Sequence, residues 1–347
     1  MLLSIIVPVH NVEAYLVRSL GSLMNQGLEP SDYEVVVIND GSTDNSLDVA
    51  ERLALSHPNI VIRSWENRGP SAARNEGVRT ARGKYVYFVD GDDYIASGVL
   101  ADLLKLMEQE DLQVLAFDHW IVGHEDYLPS PRTVYDPSHG VNVTSGMQYL
   151  ATHHYKNGIW WYIVNRAFLV NSGIRFEAGR LVEDALFTAN VLSAASRFAF
   201  VPTDVYRYVR RPGSIMQTTT AASTKRLIAD YERVVFGLEE LRQGHLRSGE
   251  ASKAFLDRLE YRQRAFAFFL IGRLIRSDLP PKPILPEALA RFRGISIYPL
   301  KRFPGRDYRG VRYALLTFVY NREYLLYPFI HLYRSLHGSG PFEFRQE

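Results

Sequence analysis

The segment Lys84–Ile95, KYVYFVDGDDYI, sets three carboxylates, Asp90, Asp92 and Asp93, directly behind an apolar run. The run at 84–89 has the pattern of a buried strand in a parallel sheet. Like charges held this close repel, and burial makes the repulsion worse. In an open parallel sheet, however, the carboxyl ends of the strands border the crevice in which ligands bind. Acids crowded there become tolerable when a hard divalent cation neutralises them. Mg²⁺ or Mn²⁺ takes one or two carboxylates and completes its shell with water and phosphate oxygens. The competing reading is a solvated acidic turn that caps the next helix. Gly91, between the acids, supplies an unusual backbone angle or a close ligand approach.

The flanking sequence repeats the strand pattern. LSIIVPV (3–9), EVVVIND (34–40) and NIVIRSW (59–65) read as three further strands. Helices separate them: one with Leu16, Leu20, Leu23 and Met24 on one face, one near 45–56 behind the turn GSTDNS, and one over 69–82 with Pro70 near its start. A helix near 98–109 and a strand at 112–117 follow. This alternation predicts an α/β fold with a doubly wound, mostly parallel sheet. Asn39–Asp40 and Asp90–Asp93 then fall at its carboxyl edge. Residues 121–143 read as a loop-rich excursion, 144–215 as mixed structure and 222–277 as two helices. Residues 278–310 read as irregular, and 311–337 as one last helix bent near Pro328.

Composition narrows the classes. The 347 residues suggest two folding units. With no cysteine, disulfides and thiolate metal sites are excluded. The N-terminal apolar run has no basic region before it and reads as a first strand, not a signal peptide. No uncharged apolar stretch is long enough to span a bilayer, and a cytosolic location is expected. Residues 1–200 hold 15 Lys/Arg against 24 Asp/Glu, whereas residues 201–347 hold 25 against 14. The acidic part suits a cation and the basic part suits anions. The histidines show no spacing that puts two ligands on one helix face.

SIIVPVHNVEAYL, VVVINDGSTDNS, GPSAARNEG and YFVDGDD, in that order, resemble the family 2 glycosyltransferases of the GT-A fold. The resemblance is close over about the first 120 residues and looser to about residue 216. It implies that Pro8 and Val9 line the nucleotide base, with Glu13 the acid that follows. Asp40 matches the carboxylate that accepts a hydrogen bond from the base, commonly uracil. Arg74 is similar to the arginine that helps hold the nucleotide end of the donor. Asp90 and Asp92 match the D-x-D pair that serves ribose and metal, so Mn²⁺ or Mg²⁺ is the implied cofactor. Asp93 extends that motif. His10 stands where tyrosine is common and Gly27 where threonine is, and neither is expected to touch the chemistry.

Glu183–Asp184 opens an amphipathic run in GRLVEDALFTANVL. Its bland reading is a helix start with acids in the first turn. By resemblance, Asp184 is the catalytic base and Glu183 a supporting group. Trp160, Trp161 and Tyr162 either stack on a sugar or belong to the core. Within YRYVRRPGSIMQ (206–217), Arg210 or Arg211 matches a group that closes over the donor diphosphate. The basic, aromatic stretches at 261–276 and 313–336 either dock on an anionic membrane surface or pack as ordinary helices.

The resemblance thus implies an inverting, metal-dependent glycosyltransferase. It would move a sugar from a nucleotide sugar, commonly UDP-linked, to a hydroxyl of a glycan or lipid-linked glycan in polysaccharide biosynthesis. Residues 1–217 form the expected catalytic domain (donor half 1–120, acceptor half 121–217), and 218–347 a helical extension. The alternative is a non-catalytic nucleotide-sugar-binding or scaffold protein on the same fold. Nucleic-acid binding and a dinucleotide-dependent oxidoreductase lack their motifs.

Overall fold

The computed structural model describes residues 1–211, 221–301 and 310–337. The chain divides into two compact units, Met1–Arg211 and Pro212–Glu347.

In the first unit, β1 (Leu3–Val9), β2 (Tyr33–Asp40), β3 (Ile60–Trp65) and β4 (Tyr85–Phe88) run parallel in the order β3-β2-β1-β4. Every residue of β2 and β4 is buried, and only Pro8 of β1 is not fully so. Helices cover both faces, which is why these strands read as continuous apolar runs rather than alternating ones. The covering helices are α1 (Glu13–Leu23), α2 (Ser46–Ser56) and α3 (Pro70–Thr80). Leu16, Leu20 and Leu23 bury one stripe of α1 in the core. Full burial of each such side chain is worth about 1.5–3 kcal/mol. Gly77 lets α3 lie directly on β1, because a Cβ there would come within 2.3 Å of Ile6 Cγ2.

The sheet grows from β1 toward β3 on one side and toward β4 on the other. A crevice therefore opens over the carboxyl ends of β1 and β4, the switch point of the topology.

The rest of the unit adds β5 (Tyr94–Ile95), α4 (Leu100–Gln109), β6 (Val114–Gly123), α5 (Gly146–Thr152), β7 (Tyr162–Asn165), α6 (Arg166–Asn171), α7 (Glu183–Ala194) and β8 (Phe198–Arg210). The full sheet order is β3-β2-β1-β4-β7-β6-β8-β5. The mostly parallel α/β architecture is as expected, but the strand after α4 does not pair with β4. Instead β7 inserts antiparallel between β4 and β6. β6 also runs to Gly123, beyond the predicted end at 117, because it pairs along much of β8.

The second unit contains α8 (Ala221–Ser248), α9 (Lys253–Ile275), α10 (Ile284–Gly294), α11 (Val311–Tyr320) and α12 (Glu323–His337). The first two match the expected helix pair. The irregular reading of 278–310 is corrected by α10. Its prolines stand before the helix or in the first turn, where a missing N–H costs no helical hydrogen bond. The single helix expected at 311–337 is two. The break falls after Tyr320, where the Asn321 side chain bonds both the N–H and the carbonyl of Leu300, each at 2.7 Å. Pro328 lies inside α12.

Candidate active site

The site is built on strand ends. Asp40 closes β2 and is buried. Its Oδ1 accepts hydrogen bonds from Trp65 Nε1 (3.0 Å) and the Arg68 N–H (2.8 Å), and its Oδ2 from the Gly69 N–H (2.8 Å). The carboxylate thus holds the two residues just before α3 and fixes the loop between β3 and α3. Gly41, at φ 66°, allows that loop to close, since a Cβ there would lie 2.6 Å from the Asn67 amide nitrogen. Pro8 and Val9 end the neighbouring β1. His10, expected to be a bystander, lies at this corner: its Nδ1 is 2.9 Å from the Asp40 carbonyl oxygen. Glu13 is exposed, and its Oε2 accepts from the N–H and Nδ2 of Asn45 at 2.8 and 2.7 Å. It therefore ties α1 to the start of α2.

One turn into α3, Arg74 reaches the acidic cluster. Its buried guanidinium donates to Asp90 Oδ1 (2.8 Å) and to Glu183 Oε1. Burial alone would lower this arginine's pKa, but Asp90 and Glu183 raise it above its ordinary value. The helix that starts on Asp40 thus ends its reach between Asp90 and the head of α7. Arg74 sits among the acids, paired with both Asp90 and Glu183.

The three aspartates of DGDD take different roles. Asp93 is buried, with Oδ1 accepting from the Val209 N–H (2.7 Å) and Oδ2 from the Tyr206 hydroxyl (2.5 Å). Burial, then Asp92 and Asp90, push its pKa well above the carboxylate range. Asp93 is therefore a tie between the cluster and β8. Asp92 is bonded by Arg211 Nε through Oδ2 (2.5 Å). Burial and Asp90 raise its pKa, and Arg211 opposes them. Gly91 makes its close approach to the chain itself: a Cβ would sit 3.1 Å from the Pro8 carbonyl oxygen and 3.2 Å from Val12 Cγ2. The backbones of β1 and the acidic loop are thereby brought together.

Asp90 gives Arg74 only Oδ1, and Asp92 gives Arg211 only Oδ2. The remaining oxygens, Asp90 Oδ2 and Asp92 Oδ1, are hard donors that suit Mg²⁺ or Mn²⁺. Among the described residues no group of three His, Cys, Asp or Glu side chains could hold a metal. A cation here would have two protein carboxylates and would take its other ligands from water and phosphate, the usual shell for Mg²⁺.

Glu183 and Asp184 open α7 as predicted, but the helix is buried nearly all round rather than amphipathic. Burial, then the adjacent Glu183, push the Asp184 pKa up to about 7, with Arg74 opposing and Asp90 adding to the rise. A carboxyl poised there is matched to proton transfer near neutral pH.

Trp161 and Tyr162 are core residues, almost wholly buried. Trp160 is half-buried, with the Tyr206 ring stacked at 4.9 Å and the His119 ring tilted against it at 4.6 Å. Sequence reasoning missed Tyr206 and Tyr208. Tyr206 links Asp93 to the Trp160 ring, and its oxygen accepts from the Asp90 N–H at 3.3 Å. The Tyr208 ring lies 5.9 Å from the Trp160 ring, and its hydroxyl is pushed up to about 12, first by burial and then by Asp93, Asp90, Asp92 and Asp184. The available signal was the alternation in VYRYVR, which puts both tyrosines on one face of a strand. Of the expected basic segment at 206–217, residues 212–217 lie outside the described residues.

Comparison with known proteins follows the same lines. The family model "Glycosyl transferase family 2" matches residues 4–177. The uncharacterized glycosyltransferase EpsJ of Bacillus subtilis is 30% identical over 219 residues, 62% of this chain and 63% of EpsJ. The poly(ribitol-phosphate) beta-glucosyltransferase of Bacillus spizizenii is 41% identical over 102 residues, 29% of this chain and 16% of that protein. The chain therefore spans less than two thirds of these relatives' lengths. The crystal structure of S. aureus TarS 1–349 in complex with UDP-GlcNAc superposes with a TM-score of 0.67 at 21% identity, over 99% of this chain and 94% of TarS 1–349, and shows a shared fold. The matched family model spans the strand ends, α3 and the DGDD loop just described, and the chain belongs to glycosyl transferase family 2.

Proposed function

We propose that this glycosyltransferase transfers a sugar, with inversion, from a nucleotide sugar to a hydroxyl group of a glycan or lipid-linked glycan, with Asp184 as base. The observation that carries the reading is the α3 bridge: Asp40 holds its start, and Arg74 on its next turn joins Asp90 to Glu183, beside Asp184. Residues 1–120 form the donor half, 121–217 the acceptor half and 218–347 the helical extension of this reading.

The donor lies over the switch point, with the base against Pro8, Val9 and Asp40. Asp40 already accepts three hydrogen bonds, and a carboxylate offers about four lone-pair sites, so one acceptor position suits an imide N–H. A divalent cation on Asp90 and Asp92, when bound, stabilises charge on the departing diphosphate. Glu183 and Arg74 set the charge around Asp184, which takes the acceptor hydroxyl's proton. UDP is the favoured nucleotide, because TarS, which shares the fold, was crystallised with UDP-GlcNAc. Polysaccharide assembly is supported by the poly(ribitol-phosphate) relative.

The stretch at 261–276 lies almost wholly in α9 and is buried along most of its length, so it packs as an ordinary helix, and the membrane-surface reading is supported by α11. Val311, Leu315 and Phe318 are exposed at 86%, 59% and 48%, and the Arg322 guanidinium lies 3.6 Å from the Phe318 ring centroid. An apolar stripe with a cation beside it suits an anionic bilayer on the cytoplasmic side. No helix among the described residues is long and apolar enough to cross a membrane.

Titration calorimetry with UDP, with and without Mn²⁺, tests the reading, together with a hydrolysis screen of UDP-, GDP- and dTDP-sugars. Metal-dependent UDP binding that Asp92→Ala abolishes is the expected result. Absence of any nucleotide binding favours the non-catalytic scaffold. Flotation with anionic vesicles at low and high salt tests the membrane contact, and salt-insensitive or absent binding removes it.

A further inference from the structure

We propose that Arg211 holds the cation's place on Asp92 when no donor is bound, and that the donor diphosphate draws it away, so that metal and nucleotide load together. The inference rests on the reading of Asp90 and Asp92 as the cation site.

Three observations carry it. First, Arg211 Nε bonds Asp92 Oδ2 at 2.5 Å, and among the described residues no other side chain bonds Asp92. Arg74 serves Asp90 and Glu183 instead. Each of the two carboxylates of the cation site thus has its own guanidinium partner, but only Asp92's comes from the edge of the unit. Second, the pair is partly open, with the Arg211 and Asp92 side chains 23% and 24% exposed, whereas the Arg74 side chain is 9% exposed. Arg211 has room to leave and Arg74 does not. Third, Arg211 has a built seat. Its guanidinium lies 5.5 Å from the Tyr15 ring centroid, and two residues earlier the Val209 N–H is fixed to Asp93. Tyr15 itself packs on Tyr94, Val122 and Val209. The arginine therefore meets the cluster from a fixed strand end.

The charge logic follows. Without a counter-charge, Asp92 would sit half-buried beside Asp90, with like charge against like charge. A guanidinium relieves that repulsion but also competes with a divalent ion for the same carboxylate. The planar guanidinium fork suits phosphate oxygens as well as carboxylates. A diphosphate arriving with the metal offers Arg211 a second anion at the moment it loses the first. Metal and nucleotide affinities then become coupled, and coupling of this kind is reciprocal.

The test measures Mn²⁺ binding by electron paramagnetic resonance, without and then with UDP, for the wild type, Arg211→Ala and Arg211→Met. The methionine keeps an apolar stem over Tyr15 and removes the charge, so it serves if the alanine variant folds poorly. Removing the charge is expected to tighten binding of Mn²⁺ alone by at least about 5-fold, the lower end of typical coupling factors. The gain in Mn²⁺ affinity that UDP gives the wild type should shrink by the same factor. A merely structural Arg211 would leave Mn²⁺ binding unchanged or weaken it, and either result overturns the proposal. Wild-type protein that binds no UDP even with Mn²⁺ overturns the underlying site reading as well.

Discussion

Replacing Asp184 by asparagine is expected to stabilise the protein at alkaline pH while removing its turnover. The Asp184 pKa rises from an ordinary 3.8 to about 7 on folding. The folded state therefore binds this proton more tightly than the unfolded chain does. Stability from this carboxyl is fully present below about pH 4 and is lost as pH rises through 7. At 1.36 kcal/mol per pH unit, the loss by pH 8 is at most about 4 kcal/mol. The carboxamide of the variant has nothing to ionise and escapes that loss. Urea unfolding of both proteins in EDTA at pH 5 and pH 8 gives the comparison. The variant should gain on the wild type by up to about 3 kcal/mol between those two pH values, since most of the titration lies there. Its turnover should fall by about 10²–10⁴-fold, the usual worth of a general base. A stability difference that does not change with pH would refute the idea that folding holds this carboxyl neutral. Near-normal turnover would refute its role as the base.

Three further outcomes follow from the same geometry. The wild-type pH–rate profile should rise through about 7, so that only about one-tenth of the enzyme is active at pH 6; Glu183→Gln removes a like charge and should move that limb to lower pH. Asp40→Asn points an amide N–H into a ring of three donors and should cost about 1–3 kcal/mol in urea unfolding, with weaker UDP binding by calorimetry. Tyr206→Phe strips the buried Asp93 of one of its two donors and should cost a similar about 1–3 kcal/mol, read by the same unfolding assay.

Much of this site was legible in the chain because strand burial is a local pattern. LSIIVPV, YEVVVIND and YVYF are apolar throughout most of their length, and each ends at the crevice. The position of Asp40 and of DGDD at that edge follows from period and topology rules alone. The glutamate–aspartate pair was likewise visible as the head of a helix. Sequence reasoning missed β7's insertion beside β4, because a four-residue strand carries too little pattern to reveal its partner. It also missed the tyrosines of β8, whose alternation is as common in ordinary core strands as in sites.

What the amino-acid order determined by itself was the parallel half of the sheet and the crowding of acids at its rim. What only the tertiary structure decided was how each acid is neutralised. Asp93 takes a hydroxyl 113 residues away, Asp92 a guanidinium 119 residues away, and Arg74 reaches Glu183 across 109. Spacing along the chain carries no trace of these partners. They are chosen by where β8 and α7 come to lie, and burial makes the choice matter, because a carboxylate removed from water must find its counter-charge or keep its proton.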